Sequence, residues 1–229
     1  MPNELPGQSD PIIFLDIETL PAKEGDPLWE KIQEQSTLPQ DEDFEAYFES
    51  KRKDTALFPS LGRVWMIGFA HKSDEPTILE SDGSIDGEAR VLEEFLEHCK
   101  EWDKPWWVGH NVSGFDVPFL QVRALHHHLP ALARKMGRLR AKPWEQRVLD
   151  TQTLWPSTGA DRFSNSHGIR GTRRLDTVCS LLGIENQTGV MGPDVYNAYL
   201  AGNEKGVRDH LRQDVIQVRE VFKHLWPVL

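Results

Sequence analysis

Apolar positions along this chain gather into short runs near its start and helical stripes toward its end. Pro11–Asp16 is an apolar run of strand length that closes on an acid, and it predicts a first strand. Arg63–His71, R-V-W-M-I-G-F-A-H, predicts a second, and Thr77–Glu80 a short third. A polar stretch at about residues 23–60 separates strands one and two, with short helices expected at Leu28–Gln35 and Phe44–Lys53. From Gly87 to Trp102 the period becomes helical, placing Val91, Leu92, Phe95, Leu96 and Cys99 on one face. Trp106–Gly109 predicts a fourth strand, Asn111–Gly114 a turn, Asp116–His128 a helix and Arg147–Asp150 a fifth strand. Helices are expected at Thr172–Leu182, closed by Gly183, and at Val195–Ala201 and Glu204–Trp226. This order predicts an α/β fold in a single domain over residues 1–229. A mixed five-stranded sheet is flanked by helices, and the polar stretch is an insertion.

Three places in this pattern carry acids where packing alone would not put them. Ile12–Pro21 reads I-I-F-L-D-I-E-T-L-P. Side chains alternate along a strand, so Asp16 and Glu18 face the same way. Two desolvated carboxylates side by side repel, unless a hard divalent cation lies between them; a strand end with a helix cap is the other reading. Asp43/Glu45 and Asp86/Glu88 share the spacing but follow no apolar strand, and they read as solvated acids. The second place is G-H-N-V-S-G-F-D-V-P-F-L at Gly109–Leu120. Asn111 can cap or orient the turn, while Phe115 and Phe119 anchor a helix and Asp116 faces the strand ends. The helix dipole would account for Asp116 equally well. The third is D-H-L-R-Q-D-V-I-Q-V at Asp209–Val218, where His210 and Asp214 share a helical face, as site residues or as a surface pair. Asp150 is expected to cap the segment after strand five. His126–His128 are expected at a helix end, facing solvent or phosphate.

Composition narrows the function classes. An apolar share of 38% with 27% charged residues is that of a globular protein, and no apolar run approaches a membrane span. Met1–Gln8 lacks the apolar stretch of a signal peptide, and Cys99 and Cys179 are too few for a disulfide framework, so a cytoplasmic location is expected. Net charge is −10, which argues against general electrostatic binding of nucleic acid. One stretch runs against the average: Arg134, Lys135, Arg138, Arg140, Lys142 and Arg147 meet only Glu145, and Arg162, Arg170, Arg173 and Arg174 follow. It suits either an anionic polymer or a solvated helix face.

Together the three acidic places resemble the DEDD superfamily of 3′→5′ exonucleases, which includes polymerase proofreading domains and ribonuclease D. The resemblance covers roughly residues 11–224. F-L-D-I-E-T-L-P, R-V-W-M-I-G-F and G-H-N-V-S-G-F-D-V-P-F-L are most similar to the predicted exonucleases related to the family-B polymerase proofreading domain. The resemblance implies a ribonuclease-H-like fold and a metal-dependent 3′→5′ exonuclease. It implies two divalent cations, Mg²⁺ or Mn²⁺, about 4 Å apart. Asp16 would bridge both, Glu18 and Asp214 would complete the nucleophile-side ion, and Asp116 would hold the other. His210 would take the proton of the attacking water. There is one departure: family members carry Tyr four residues, or His five residues, before the last acid. Here His210 stands at the Tyr spacing, and Asp209 occupies the His spacing. The expected substrate is nucleic acid with a free 3′ end, single-stranded and most naturally DNA. Leu20 and Phe115 are candidates to contact the terminal base, with Asn111 beside them. Arg138, Arg140, Arg173 and Arg174 are candidates for the phosphate backbone. An exonuclease acting on RNA or short oligonucleotides, or a degenerate module that binds without cutting, is the alternative. No polymerase module accompanies these residues, so proofreading in cis is not expected.

Overall fold

In the computed structural model, residues 6–7, 9–35, 42–139, 146–156, 173–185 and 189–229 are described, the side chains of residues 42–45 and 193 excepted. Five strands form one mixed sheet: β1 (Ile12–Leu20), β2 (Arg63–His71), β3 (Thr77–Glu80), β4 (Trp106–Gly109) and β5 (Val148–Asp150), in the order β3-β2-β1-β4-β5. β2 runs antiparallel to β1 and β3, while β4 runs parallel to β1 and β5. The helices are α1 (Pro27–Glu34), α2 (Glu42–Arg52), α3 (Ile85–Lys100), α4 (Asp116–His126), α5 (Pro130–Leu139), α6 (Thr151–Leu154), α7 (Leu175–Leu182), α8 (Val195–Leu200) and α9 (Glu204–Leu225).

The two faces of β1 sort its side chains. Ile13, Leu15 and Ile17 join a core with Val91, Leu92 and Phe95 of α3 and Val117 and Leu120 of α4. Phe14 packs on the other face with Val108 against Val215, Val218 and Phe222 of α9. Leu20 packs on that same face against Val207 and Leu211. Each such buried side chain contributes about 1.5–3 kcal/mol. The apolar stripe of α9 recurs at helical spacing, so the helix lies along the sheet. Gly68 lets it come close: a Cβ there would stand 2.8 Å from Leu211 Cγ and 3.1 Å from Val215 Cγ2. Gly68 also pairs with Asp16 across the β1–β2 ladder.

Several expectations are corrected. β1 does not end at Asp16 but continues to Leu20, with a register shift between Glu18 and Thr19, so both acids lie inside the strand. α5 was not expected: its buried Leu132, Ala133 and Met136 hold it to the core, and the dense basic residues of that stretch mask their stripe. Between β1 and β2, Ala22, Trp29, Phe48 and Leu61 form a small buried cluster. Thr19 Oγ1 donates to the Ala56 carbonyl (2.8 Å), tying this segment to β1.

Glu88 is not a solvated acid, although Asp86 is exposed. Its carboxylate is fully buried and accepts from Arg123 Nε (2.8 Å) and Nη2 (2.6 Å), and from the Val64 N–H (2.7 Å). His127 Nε2 lies 2.7 Å away, so the middle histidine of the tract turns inward rather than to solvent. Burial and pairing are how such a charge is tolerated in a core. The side chains of Asp43 and Glu45 lie outside the described residues.

Candidate active site

The site starts from the β1 face toward α9. Phe14 and Leu20 bracket Asp16 and Glu18, so the strand presents two carboxylates between two apolar anchors. α9 supplies the facing groups one helical turn apart. His210 Nε2 lies 3.4 Å from Glu18 Oε1 and 3.5 Å from Asp214 Oδ2. One ligand-type atom from each of Glu18, His210 and Asp214 falls within 4.8 Å of the others. The third element is the start of α4. The β1–β4 pairing covers Ile12–Phe14, and beyond it the Ile17 N–H donates to Asp116 Oδ1 (3.0 Å). That bond fixes Asp116 at the backbone between Asp16 and Glu18.

Backbone geometry and a fifth acid, Asp150, set the loop that delivers Asp116. At Gly109 a Cβ would meet Val112 Cβ at 2.5 Å and the Leu15 carbonyl at 2.8 Å, so only glycine fits. Asn111 takes a left-handed φ of 63°, a turn conformation that asparagine tolerates. Asp150 accepts from the N–H groups of Asn111 (2.9 Å) and Ser113 (3.0 Å), as well as capping α6 at Gln152 (3.1 Å). The capping role is the one expected of it. Its hold on the loop was not foreseen, since nothing in the sequence links position 150 to position 111. His110 adds a second tie, with Nδ1 3.0 Å from Thr151 Oγ1 and Nε2 2.7 Å from the Arg173 carbonyl.

The electrostatics follow from crowding. Burial, then the charges of Asp116, Asp214 and Glu18, push the Asp16 carboxyl well above the usual range. Burial and the neighbouring Asp214 and Asp116 do the same to Glu18. Asp116 is pushed up to about 7, chiefly by burial. Asp214 is pushed up to about 7 by burial and by Asp176, a residue of α7 that the sequence did not single out. Burial pushes the His210 imidazole down, toward its neutral form. Four converging carboxylates held uncomfortably close, in hard oxygen chemistry, are a donor set that fits divalent cations of the Mg²⁺ type.

Other expected residues are placed differently. Leu20 is fully buried in the α8–α9 core and offers no surface to a base, which corrects that expectation. Phe115 is half-buried and packs on Phe119 with ring centroids 5.3 Å apart, and Asn111 is exposed at the loop. Asp209 faces solvent and pairs with Lys205 (2.7 Å), turned away from the acids. Arg173 donates to the Gln152 carbonyl (2.8 Å), and Arg174 pairs with Asp176 (3.1 Å), beside the Asp214 neighbourhood. Arg138 lies on α5, on the α3–α4 side of the sheet and away from α9. Arg140 lies outside the described residues.

A family model described as a predicted 3′-5′ exonuclease related to the exonuclease domain of PolB matches residues 59–225. That range holds Asp116, His210 and Asp214 and begins after β1. A DNA polymerase of Archaeoglobus fulgidus is 23% identical over 172 residues, which are 74% of this chain and 21% of the polymerase. The family B DNA polymerase from the hyperthermophilic archaeon Pyrobaculum calidifontis has a similar fold, with a TM-score of 0.54 and 18% identity over 98% of this chain and 26% of the polymerase. The chain therefore spans about a fifth to a quarter of the length of the polymerases it matches. The mixed five-stranded sheet is the ribonuclease-H-like arrangement of that exonuclease domain. Among the described residues, no helix is long and apolar enough to cross a membrane.

Proposed function

We propose, for a chain that belongs to the family of predicted 3′-5′ exonucleases related to the exonuclease domain of PolB, that it removes nucleotides from the 3′ end of a nucleic acid strand. DNA is the first substrate we assign, in single-stranded form. The observation that carries this reading is the convergence of Asp16 and Glu18 from β1, Asp116 from α4, and His210 and Asp214 from α9. Relatives named as DNA polymerases support DNA over RNA.

Asp16, Glu18, Asp116 and Asp214 would hold two divalent cations, Mg²⁺ or Mn²⁺. When bound, such cations neutralise phosphate charge and lower the pKa of a bound water toward neutrality. The chain's own groups then have distinct tasks. Glu18 and Asp214 flank His210 Nε2, so the imidazole edge faces the carboxylate cluster. With those carboxylates turned to cation, His210, held toward neutrality by burial and carrying its proton on Nδ1, would accept the proton of the attacking water at Nε2. Its shorter spacing is matched by its placement, since Asp209 points to solvent. Asp116, anchored by the Ile17 N–H, keeps the start of α4 from drifting as charge at the site changes. Asn111 and Phe115, on the loop beside Asp116, would meet the terminal nucleotide, and Arg173 and Arg174 would meet its phosphates.

The test is digestion of end-labelled single- and double-stranded DNA and RNA, each with Mg²⁺, Mn²⁺ or chelator. Wild-type protein is expected to shorten 3′ ends of DNA only with cation. Asp16→Asn is expected to slow this by roughly a thousandfold, the equivalent of ~4 kcal/mol of lost transition-state stabilisation. Full activity of Asp16→Asn, or no wild-type activity while DNA still binds, refutes the assignment; the second result leaves a binding module.

A further inference from the structure

A cavity of about 490 Å³ opens at the end of the sheet away from the acids. Trp102, Lys104 and Pro105 precede β4, and Arg147 precedes β5, whereas the loop carrying Asp116 follows the other end of β4. The cavity also lies on the opposite face. Trp107, in its wall, belongs to the α3–α4 core, while Trp106 and Val108 face α9. Its size falls in the range of small-ligand sites, about 300–1,000 Å³.

The lining combines an aromatic floor with a basic rim. Trp102 is half-buried, held edge-on by Phe69 (5.6 Å) and Trp107 (6.0 Å). Around it stand Lys104, Arg134, Lys135, Arg138 and Arg147; among the described residues of the lining Asp103 is the one acid, and Asp10 pairs with Arg147 from outside it (3.7 Å). Arg147 is fixed by the Lys104 carbonyl (2.9 Å) and by its position over the Trp106 ring (5.4 Å). Arg134 and Arg138 are exposed, one turn apart on α5, and form no ion pair with any described residue. On a chain of net charge −10, paired cations repelling each other beside an indole stand out.

We propose that this cavity is a second site, taking a nucleotide unit with its base against Trp102 and its phosphate on Arg134 and Arg138. Base stacking on an aromatic ring and guanidinium–phosphate pairing are the two interactions such a lining offers together. A sulfate-like anion would use the rim alone, and an apolar ligand the floor alone. The unit is either a free nucleoside monophosphate or part of a strand whose end lies elsewhere on the protein. The inference does not depend on what the acids do.

The test measures binding of thymidine 5′-monophosphate, inorganic phosphate and an oligothymidylate of about twelve residues to the full chain in EDTA, by calorimetry. Thymidine monophosphate is expected to bind more tightly than phosphate. Arg134→Glu with Arg138→Glu is expected to weaken it about tenfold or more, while Arg90→Glu, an exposed control, leaves it unchanged. Trp102→Phe, which keeps a ring in the floor, is expected to weaken the mononucleotide and not phosphate. If the double variant also lowers the oligonucleotide's salt slope by about two, the site serves a strand; if only the mononucleotide is affected, it serves the free nucleotide. No mononucleotide binding at about 10 mM, equal affinity for phosphate, or a double variant that binds like wild type would each overturn the proposal.

Discussion

Replacing Asp214 with Asn is expected to stabilise the cation-free protein, and only above a certain pH. The Asp214 carboxyl rises from 3.8 to about 7 on folding, chiefly through burial and then through Asp176. That rise corresponds to ~4 kcal/mol against the charged form. The sign follows from proton counting. Below pH about 4 the group is protonated in both folded and unfolded chains, and it costs nothing. Between pH about 4 and 7 the unfolded chain ionises while the folded one keeps its proton, so stability falls steadily. Above pH about 7 both are ionised, and the loss is complete. Asn never ionises, so the advantage of Asp214→Asn should be small at pH 4.5, at most about 1 kcal/mol, and should grow toward its full value at pH 8. Neighbouring carboxylates share protons with Asp214, so the gain is expected at about 1–4 kcal/mol. Urea denaturation in EDTA at pH 4.5, 6 and 8 measures it. Adding Mg²⁺ at pH 8 should reverse the order, because bound cation stabilises the folded wild type by mass action and the variant less. A variant that is less stable than wild type at pH 8 in EDTA, or a difference flat across pH, refutes the account of the site as a carboxylate cluster under strain.

Three further outcomes can be checked directly. His210→Ala is expected to lower turnover by about 10²–10⁴-fold with oligonucleotide affinity little changed, and His210→Tyr to recover part of it; nearly full activity in His210→Ala with loss in Asp209→Ala would move the role one residue earlier. Gly68→Val places carbon against Leu211 and Val215 at the crossing of α9, which should cost about 1–3 kcal/mol in thermal unfolding and lower turnover together. Glu88→Gln leaves Arg123 buried without its counter-charge, and should cost about 3–5 kcal/mol in urea denaturation. Joint replacement by Glu88→Leu and Arg123→Met should recover much of that loss.

The strands and the ends of the sheet were readable because their signal is local. Residues Arg63–His71 and Trp106–Gly109 are apolar runs of strand length, and the helix at α3 shows its stripe openly. α5 escaped because arginines and lysines crowd its exposed side, and its buried Leu132, Ala133 and Met136 look like spacers between them. The Glu88 cluster escaped for the opposite reason. Its partners Arg123 and His127 lie on another helix, and no spacing in the sequence joins them to position 88. The acids of the site could be placed on their elements one by one. What could not be read was which side chains around them face inward. Leu20 alternates onto the same face as Asp16 and Glu18, yet the helices above close over it and leave the acids between two packed regions.

His210 shows how the fold resolves a spacing that the sequence left ambiguous. On a helix, residues 209 and 210 point about 100° apart, so only one of them can face the sheet with Asp214. The stripe Val207, Leu211, Val215, Val218 and Phe222 decides which, because it must lie on the strands. His210 is adjacent to that stripe and stands one turn before Asp214, so burying Leu211 carries the imidazole inward. Asp209 sits on the outer side and is taken up by Lys205. Gly68 then sets the distance: without a side chain at the crossing point, the helix approaches until His210 Nε2 reaches Glu18 at 3.4 Å. The position of the candidate base is thus a consequence of core packing on one side of α9 and of a missing Cβ on β2. A histidine one residue earlier in this chain would need a different apolar register along the whole helix.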